Sequence, residues 1–534
     1  MNIIALTNPL KYTYFVLFLF ILIGCRTSET KEVKKPNVLF ILADDFGYHD
    51  LGVTGSNYYN TPMLDSLAQA SFRFSQGYAA SRVCSPSRAS IMTGQFTATH
   101  GITDWIGAAI GENWRSPIHE DKLLPPDYQR FLKSDWKTLP EAFKDAGYST
   151  FFAGKWHLGG EGNGPLENGF NFNKGGWDRG SPIGGYFSPW ENPYLENTIP
   201  GENLSMRLAK ETNKFLDERS GEQPFFAFLS FYAVHGPIQT TEEKWKKFQE
   251  KAKIQGIADK GFEMERVLPI RVVQDNPVYA GLIEHMDDAI GTVLRKLKAM
   301  GIADETIIVF TSDNGGVASG DAYSTTNLPL RGGKGYQWEG GVREPYFIKW
   351  PGKKGIDISF PVSGVDFYPT LLDLCGIDNP EIKKIDGISL VPLMKGEQLT
   401  ERALFWHYPH YGNQGGEPAS MIRKGKFKLI HYWEDGRNEL YDLVIDPGEK
   451  NDIVEVEKDA AVTLWTELDS FLKSRRARIP ELDSLYDPEK RVALMERRRT
   501  IVLNRLEEQR LGYLDDQYTP NATWWDSKPI AVDD

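Results

Sequence analysis

Asp44-Asp45, Lys155 with His157, His235, and Asp313-Asn314 stand out for chemistry because each group follows an apolar run of strand length. Carboxylate and amide oxygens can hold a hard cation, lysines can hold an anion, and histidines can move protons near neutral pH. Alone, Asp44-Asp45 reads equally well as a helix-capping pair. Joined to the distant Asp313-Asn314, it reads as a metal site. A further candidate is Cys84 in Cys84-Ser85-Pro86. Pro86 suits the first turn of a helix, where its missing N–H costs nothing, so Cys84 is expected at a helix N-terminus. Backbone donors there favour an anionic group. The bland alternative is a buried or merely reactive thiol, and single lysines and histidines are more often surface or satisfied core residues.

The elements that must position these residues follow an α/β pattern. Asn37 to Ala43, Tyr148 to Ala153, Phe225 to Phe231 and Thr306 to Ser312 are continuous apolar runs, which suit a mostly parallel sheet sandwiched by helices. Ile283, Met286, Ile290, Val293 and Leu297 recur at helical spacing, as do Leu139, Ala142, Phe143 and Ala146 over a shorter stretch. Open α/β sheets bind ligands beyond the carboxyl ends of their strands, so four strands delivering polar residues at that edge would assemble one site. From about residue 400 the texture changes. Lys426 to Tyr432 alternates, and Glu439 to Leu443 runs into Asp446-Pro447-Gly448-Glu449, a strand and turn. The expected organisation is a catalytic domain over 37–398, a small antiparallel α+β subdomain over 399–475, and a helical or extended tail over 476–534. In that tail Asp487 to Arg510 reads as one helix, and the last twenty or so residues, with Trp524 and Trp525, as a wrapping arm.

At the N-terminus, Lys11 precedes an apolar run from Tyr14 to Ile23 that is too short to span a bilayer. It ends in Leu22-Ile23-Gly24-Cys25, which resembles a bacterial lipobox with Cys25 as the lipidated residue; a plain signal peptide is the alternative. Residues 1–24 are then a lipoprotein signal peptide and 25–36 a tether, and the rest is expected outside the cytoplasm, in the periplasm or on the cell surface, with an outer-membrane lipid anchor. Cys25, Cys84 and Cys375 are the three cysteines, so no disulfide framework is expected, and Cys375 reads as a buried thiol. The 534 residues carry a formal charge of −12, which argues against nucleic acid as a partner. An anionic small substrate needs only a local concentration of positive charge.

The segment Cys84-Ser85-Pro86-Ser87-Arg88 through Thr93-Gly94 resembles the signature of the type I, formylglycine-dependent sulfatases, within the alkaline phosphatase superfamily. Further matching segments follow in order: Gly154-Lys155-Trp156-His157, Val234-His235-Gly236-Pro237, Asp313-Asn314-Gly315-Gly316, Arg331-Gly332-Gly333-Lys334, and Glu339 to Arg343. The resemblance spans roughly residues 37–450 and implies an alkaline-phosphatase-like fold.

It also implies roles. Cys84 would be oxidised to formylglycine (3-oxoalanine) by a dedicated formylglycine-generating maturation enzyme. Asp44, Asp45, Asp313 and Asn314, with the residue at Cys84, would bind one Ca2+, since hard oxygen donors favour calcium over zinc. Arg88 would steady the formylglycine, Lys155 and Lys334 would hold the sulfate, and His157 would take the formylglycine proton. His235, with Lys334, would protonate the departing sugar oxygen. The implied substrate is a sulfated carbohydrate, such as the algal polysaccharides ulvan, carrageenan or fucan, or an animal glycosaminoglycan. Rival readings are a phosphoester or phosphonate hydrolase of the same superfamily, and a non-catalytic glycan-binding lipoprotein on the same scaffold. Trp105, Trp177, Asp178, Arg179, His100, His407, Tyr408 and His410 are further candidates for sugar contact, with loop packing the alternative.

Overall fold

A computed structural model describes residues 35–116, 119–133, 136–378, 385–518 and 525–526. Cys25 and the apolar run before it lie outside the described residues, as does Trp524. No helix among the described residues is long and apolar enough to cross a membrane.

Eight strands build the main sheet: β1 (Asn37–Ala43), β2 (Phe72–Phe74), β3 (Ser149–Gly154), β4 (Phe172–Lys174), β5 (Phe225–Ser230), β6 (Thr306–Ser312), β7 (Tyr346–Lys349) and β8 (Asp357–Ile358). Their order is β8-β2-β7-β6-β1-β5-β3-β4. The central run β6-β1-β5-β3-β4 is parallel, while β7 pairs antiparallel with both β6 and β2. The sheet is therefore mixed and mostly parallel, as the apolar runs predict. Successive side chains of a strand point to opposite faces. Leu39, Ile41 and Ala43 of β1 accordingly join one core, while Val38, Phe40 and Leu42 join another. The first is closed by α2 (Leu204–Glu218) and α4 (Pro277–Ala299), the second by α1 (Cys84–Thr93) and α5 (Phe367–Leu374). α3 (Glu242–Gln255) packs beside α4.

The C-terminal part is a four-stranded antiparallel meander, β9 (Leu404–Tyr408), β10 (Ala419–Lys424), β11 (Phe427–Tyr432) and β12 (Asn438–Asp442). α6 (Lys458–Ser474) covers one face of it through Leu464, Leu468 and Leu472. The stretch expected as one helix over 487–510 is α7 (Pro488–Arg497), a π-helical turn at Arg498–Val502, and α8 (Leu503–Leu514). Asp487 caps its start by accepting from the Glu489 and Lys490 N–H groups. The end runs past Arg510, because Tyr513 and Leu514 are buried and hold the last turn. Beyond it, Trp525–Asp526 pairs antiparallel with Gln239–Thr240.

Candidate active site

Parallel strands share one carboxyl edge, and here that edge carries charge into the core. Asp44 and Asp45 follow β1, Lys155 follows β3, and Asp313 and Asn314 follow β6, while His235 lies on the loop beyond β5. Asp44, Asp45 and Asp313 are fully buried and bring carboxylate oxygens within 4.8 Å of one another. Buried like charges demand compensation. Lys155 Nζ donates to Asp44 Oδ2 at 2.7 Å, Lys334 Nζ to Asp45 Oδ2 at 2.8 Å, and Arg88 Nε to Asp313 Oδ2 at 2.6 Å. Arg88 Nη1 also donates to the Lys155 carbonyl at 2.8 Å and to Ser230 Oγ at 2.7 Å, so one guanidinium ties α1 to three strand ends.

Burial, opposed by Lys155 and reinforced by Asp313 and Asp45, holds the Asp44 carboxyl well above the ordinary range. Burial would raise Asp45 too, but Lys334 and His235 hold it below that range. Burial alone would lower Arg88 and Lys334, yet the facing carboxylates outweigh it and raise both, so both keep their protons.

The donor set fits a cation. Asp44 Oδ1 and Asn314 Oδ1 are buried oxygens without a hydrogen-bond partner, and the Asp45 and Asp313 carboxylates lie beside Asp44. A bound ion would satisfy them, and an all-oxygen set suits calcium better than zinc.

Cys84 opens α1 and is buried, with Gly94 closing the helix in the left-handed region. Its Sγ lies 3.4 Å from His157 Nδ1. Burial raises the thiol pKa although Lys155 and Lys334 pull it down, so the unmodified side chain is a neutral thiol and a weak nucleophile. His157 is held from three sides. Its backbone N–H donates to the Trp177 carbonyl at 3.0 Å, its φ is +56°, and Nε2 lies 3.0 Å from the Ile106 carbonyl. That carbonyl can only accept, so Nε2 carries the hydrogen, and the Nδ1 lone pair faces both the Cys84 thiol and the Ser85 hydroxyl, whose Oγ is nearer at 3.2 Å. Burial and Lys155 keep the ring neutral. Asp45 and Asp321 also have positive φ, at +62° and +34°, so three non-glycine residues in that region converge here.

His235 Nδ1 lies 2.8 Å from the Gly236 carbonyl and therefore carries a hydrogen, while Nε2 is 3.7 Å from Asp45 Oδ2. Burial and Lys334 push its pKa down to about 4.

A cavity of about 630 Å³ is lined by Cys84, His157, His235 and Lys334. Trp105, Asp178 and Arg179 line it too, as proposed from sequence. The other aromatic and histidine candidates do not. Trp177 donates to Tyr232 Oη at 3.0 Å and packs on the core. His100 is engaged by Ser90 Oγ at 2.9 Å and the Ile102 N–H at 3.1 Å. His407 binds Ser420 Oγ and the Arg478 carbonyl, each at 2.8 Å, and His410 lies 2.9 Å from Thr103 Oγ1. Tyr408 Oη donates to Asp104 Oδ1 at 2.6 Å. Each is held by the scaffold through at least one polar atom, and His410 Nδ1, which has no hydrogen-bond partner, is buried away from the cavity. The C-terminal part reaches the cavity instead through Asn413 and Gln414, and Gln414 Nε2 donates at 2.7 Å to Asp321, another lining residue. Sequence reasoning missed all three; a polar pair set among Gly412, Gly415 and Gly416 was the available signal.

Comparison with known proteins bears on what this arrangement does. Residues 36–377 match the family model described as Sulfatase, and residues 333–477 match that of the N-sulphoglucosamine sulphohydrolase C-terminal region. A "Sulfatase" of Formosa agariphila is 30% identical over 523 residues, covering 83% of this chain and 89% of its own. An "Ulvan-active sulfatase" of the same organism is 27% identical over 86% of each chain. The crystal structure of Ps i-CgsB in complex with k-i-k-neocarrahexaose superposes with a TM-score of 0.67 at 26% identity, covering 82% of this chain and 93% of that one.

Proposed function

The chain belongs to the sulfatase family of sulfuric ester hydrolases, and from that premise we propose that it removes sulfate from a sulfated carbohydrate, using a formylglycine formed from Cys84 and one Ca2+. The observation that carries this reading is the setting of Cys84: the first residue of a helix, 3.4 Å from a neutral histidine, among buried cations and at the wall of a cavity that charged side chains also line. Asp178, Arg179, Ser181, Asp321, Asn413 and Gln414 supply donors and acceptors suited to a hydroxyl-rich sugar. An ulvan-active relative and a structure holding a carrageenan-type oligosaccharide support an algal polysaccharide as the source.

When present, a formylglycine hydrate supplies one hydroxyl to attack sulfur and a second whose deprotonation releases sulfate. Asp44, Asp45, Asp313 and Asn314 would hold the Ca2+, whose charge polarises the sulfate oxygens. The protein's own residues do the rest. His157 presents its Nδ1 lone pair to position 84 and takes the proton there. Arg88 steadies that position, and Lys155 and Lys334 place positive charge on the sulfate. His235, neutral in the free protein, gains basicity when an anionic ester arrives. With Lys334 it then delivers a proton to the leaving oxygen. The residue pattern ending at Cys25 supports export and anchoring through a lipid on that cysteine, and loss of membrane association in Cys25→Ala checks it.

The test is sulfate release by matured protein from an aryl sulfate and a panel of ulvan, carrageenan, fucan and glycosaminoglycan oligosaccharides. Release from at least one sugar, absent in Cys84→Ala, is expected. Release from the aryl ester alone would remove the carbohydrate assignment.

A further inference from the structure

Lys334 and Arg179 are the basic side chains other than histidine that line the cavity among the described residues, and they differ in what they already hold. Lys334 is buried and bound to Asp45, with Asp321 at 3.4 Å. The Arg179 side chain is exposed and, among the described residues, has no ion pair, hydrogen bond or ring contact. Asp178 beside it lines the same cavity and forms no ion pair with it.

Arg179 is nevertheless not on a loose surface turn. The Trp177 carbonyl before it accepts from the His157 backbone N–H at 3.0 Å. Gly180 after it lies so close against the His157 ring that a Cβ there would sit 2.3 Å from Cε1. The loop is thus clamped at both flanks to a residue of the reaction centre, and no other side chain fits at position 180 without moving that ring. Trp105, half-buried, adds an aromatic wall to the same cavity. Pinned to His157 in this way, the guanidinium is carried on the cavity wall beside the reaction centre.

We propose that Arg179 is a specificity-determining residue that binds a second anionic group on the sugar, so that the preferred substrate carries another charge besides the sulfate being cleaved. This rests on the sulfatase reading above and names the substrate class more closely. A free guanidinium is matched by a planar carboxylate or a sulfate, which it can grip with two parallel N–H bonds. Lys334, held against Asp45, is already assigned to the sulfate being cleaved and so cannot also serve this second group. The neutral donors Asn413 and Gln414 could bind hydroxyls but would not discriminate charge.

The experiment compares wild type, Arg179→Ala and Arg179→Lys as matured enzymes on three oligosaccharides with the same sulfated sugar. One has no other charge, one has an adjacent uronate carboxylate, and one has a second sulfate. The expected result is a wild-type preference in kcat/KM for one dianionic substrate, seen mainly in KM. In Arg179→Ala that preference falls by about 10- to 100-fold, the worth of a charge-assisted bidentate contact. Arg179→Lys recovers part of it if the partner is a sulfate and little if it is a planar carboxylate, which separates the two sources. The same ratio is read without turnover, as binding to the Cys84→Ala chain with and without Arg179→Ala. Equal losses on all three substrates, or a wild type with no preference for either dianion in turnover or binding, would overturn the assignment. A wild type that binds the dianions by this rule but releases no sulfate would leave Arg179 in place and overturn the catalytic reading instead.

Discussion

Lys155 and Lys428 are both fully buried lysines, each paired with carboxylates as buried as itself. Lys428, on β11, lies 3.2 Å from Glu339 Oε1 and 2.9 Å from Glu449 Oε1, and Tyr78 Oη donates to the other Glu339 oxygen at 2.8 Å. None of these side chains lines the cavity beside Cys84. They fasten the C-terminal sheet to the segment that also carries Lys334. Glu449 even shares two features with the Lys155 cluster, a carboxylate oxygen without a hydrogen-bond partner and a left-handed backbone at φ +50°. Lys155 differs in its neighbours, because Lys334, Cys84 and His157 beside it line the cavity. Burial of charge is therefore no mark of function by itself. What separates the two regions is whether the charged cluster opens onto a cavity that a ligand can enter.

That contrast can be broken at several points. The largest effect is expected for Cys84→Ala, with sulfate release reduced on the order of 10⁴-fold or more while the urea unfolding midpoint stays close to that of the unmatured wild type. Lys428→Ala should do the reverse. It strands Glu339 and Glu449 in the core and costs about 3–5 kcal/mol in denaturant unfolding, a loss expected with or without maturation. Removing calcium with a chelator should lower both activity and melting temperature. At a hundredfold excess of ion over Kd the linked stability is about 2.7 kcal/mol, and Asp313→Asn should abolish the ion's effect.

The smallest expected effect concerns pH. His407, in the C-terminal sheet, is pushed by burial down to about 4 from 6.5. Between those values the unfolded chain binds more protons than the folded one, so stability rises with pH and is lost as pH falls from about 6.5 toward 4. His407→Gln should flatten that decline by about 1–3 kcal/mol, measured by urea unfolding at pH 7 and pH 4.5. An unchanged slope would place the acid sensitivity elsewhere.

The site was legible in the sequence wherever its residues are set by short segments. Asp44-Asp45 and Asp313-Asn314 directly follow apolar runs, and a parallel sheet necessarily gathers such ends at one edge. Two of those runs reach the structure unchanged, Asn37–Ala43 and Thr306–Ser312, and two are shifted by a residue at their ends. The cavity wall was much less legible. Asp321, Asn413 and Gln414 come together from loops without periodicity, and only the tertiary fold joins them. His100, His407 and His410 mislead in the opposite direction. Their residue type suggests chemistry, but each ring is occupied by a hydroxyl, a backbone group or both, and nothing local announces that. Lys428 looked like one polar position in an alternating strand, because its partner Glu339 lies far away in the chain.

The proposed chemistry requires a formylglycine at position 84 in place of a thiol. The mass of the peptide spanning Cys84, taken after co-expression with a formylglycine-generating enzyme, tests it most directly when sulfate release is assayed on the same preparation. An aldehyde in place of the thiol is expected, with release rising in proportion to the converted fraction. Sulfate release from protein in which Cys84 remains entirely thiol would contradict it.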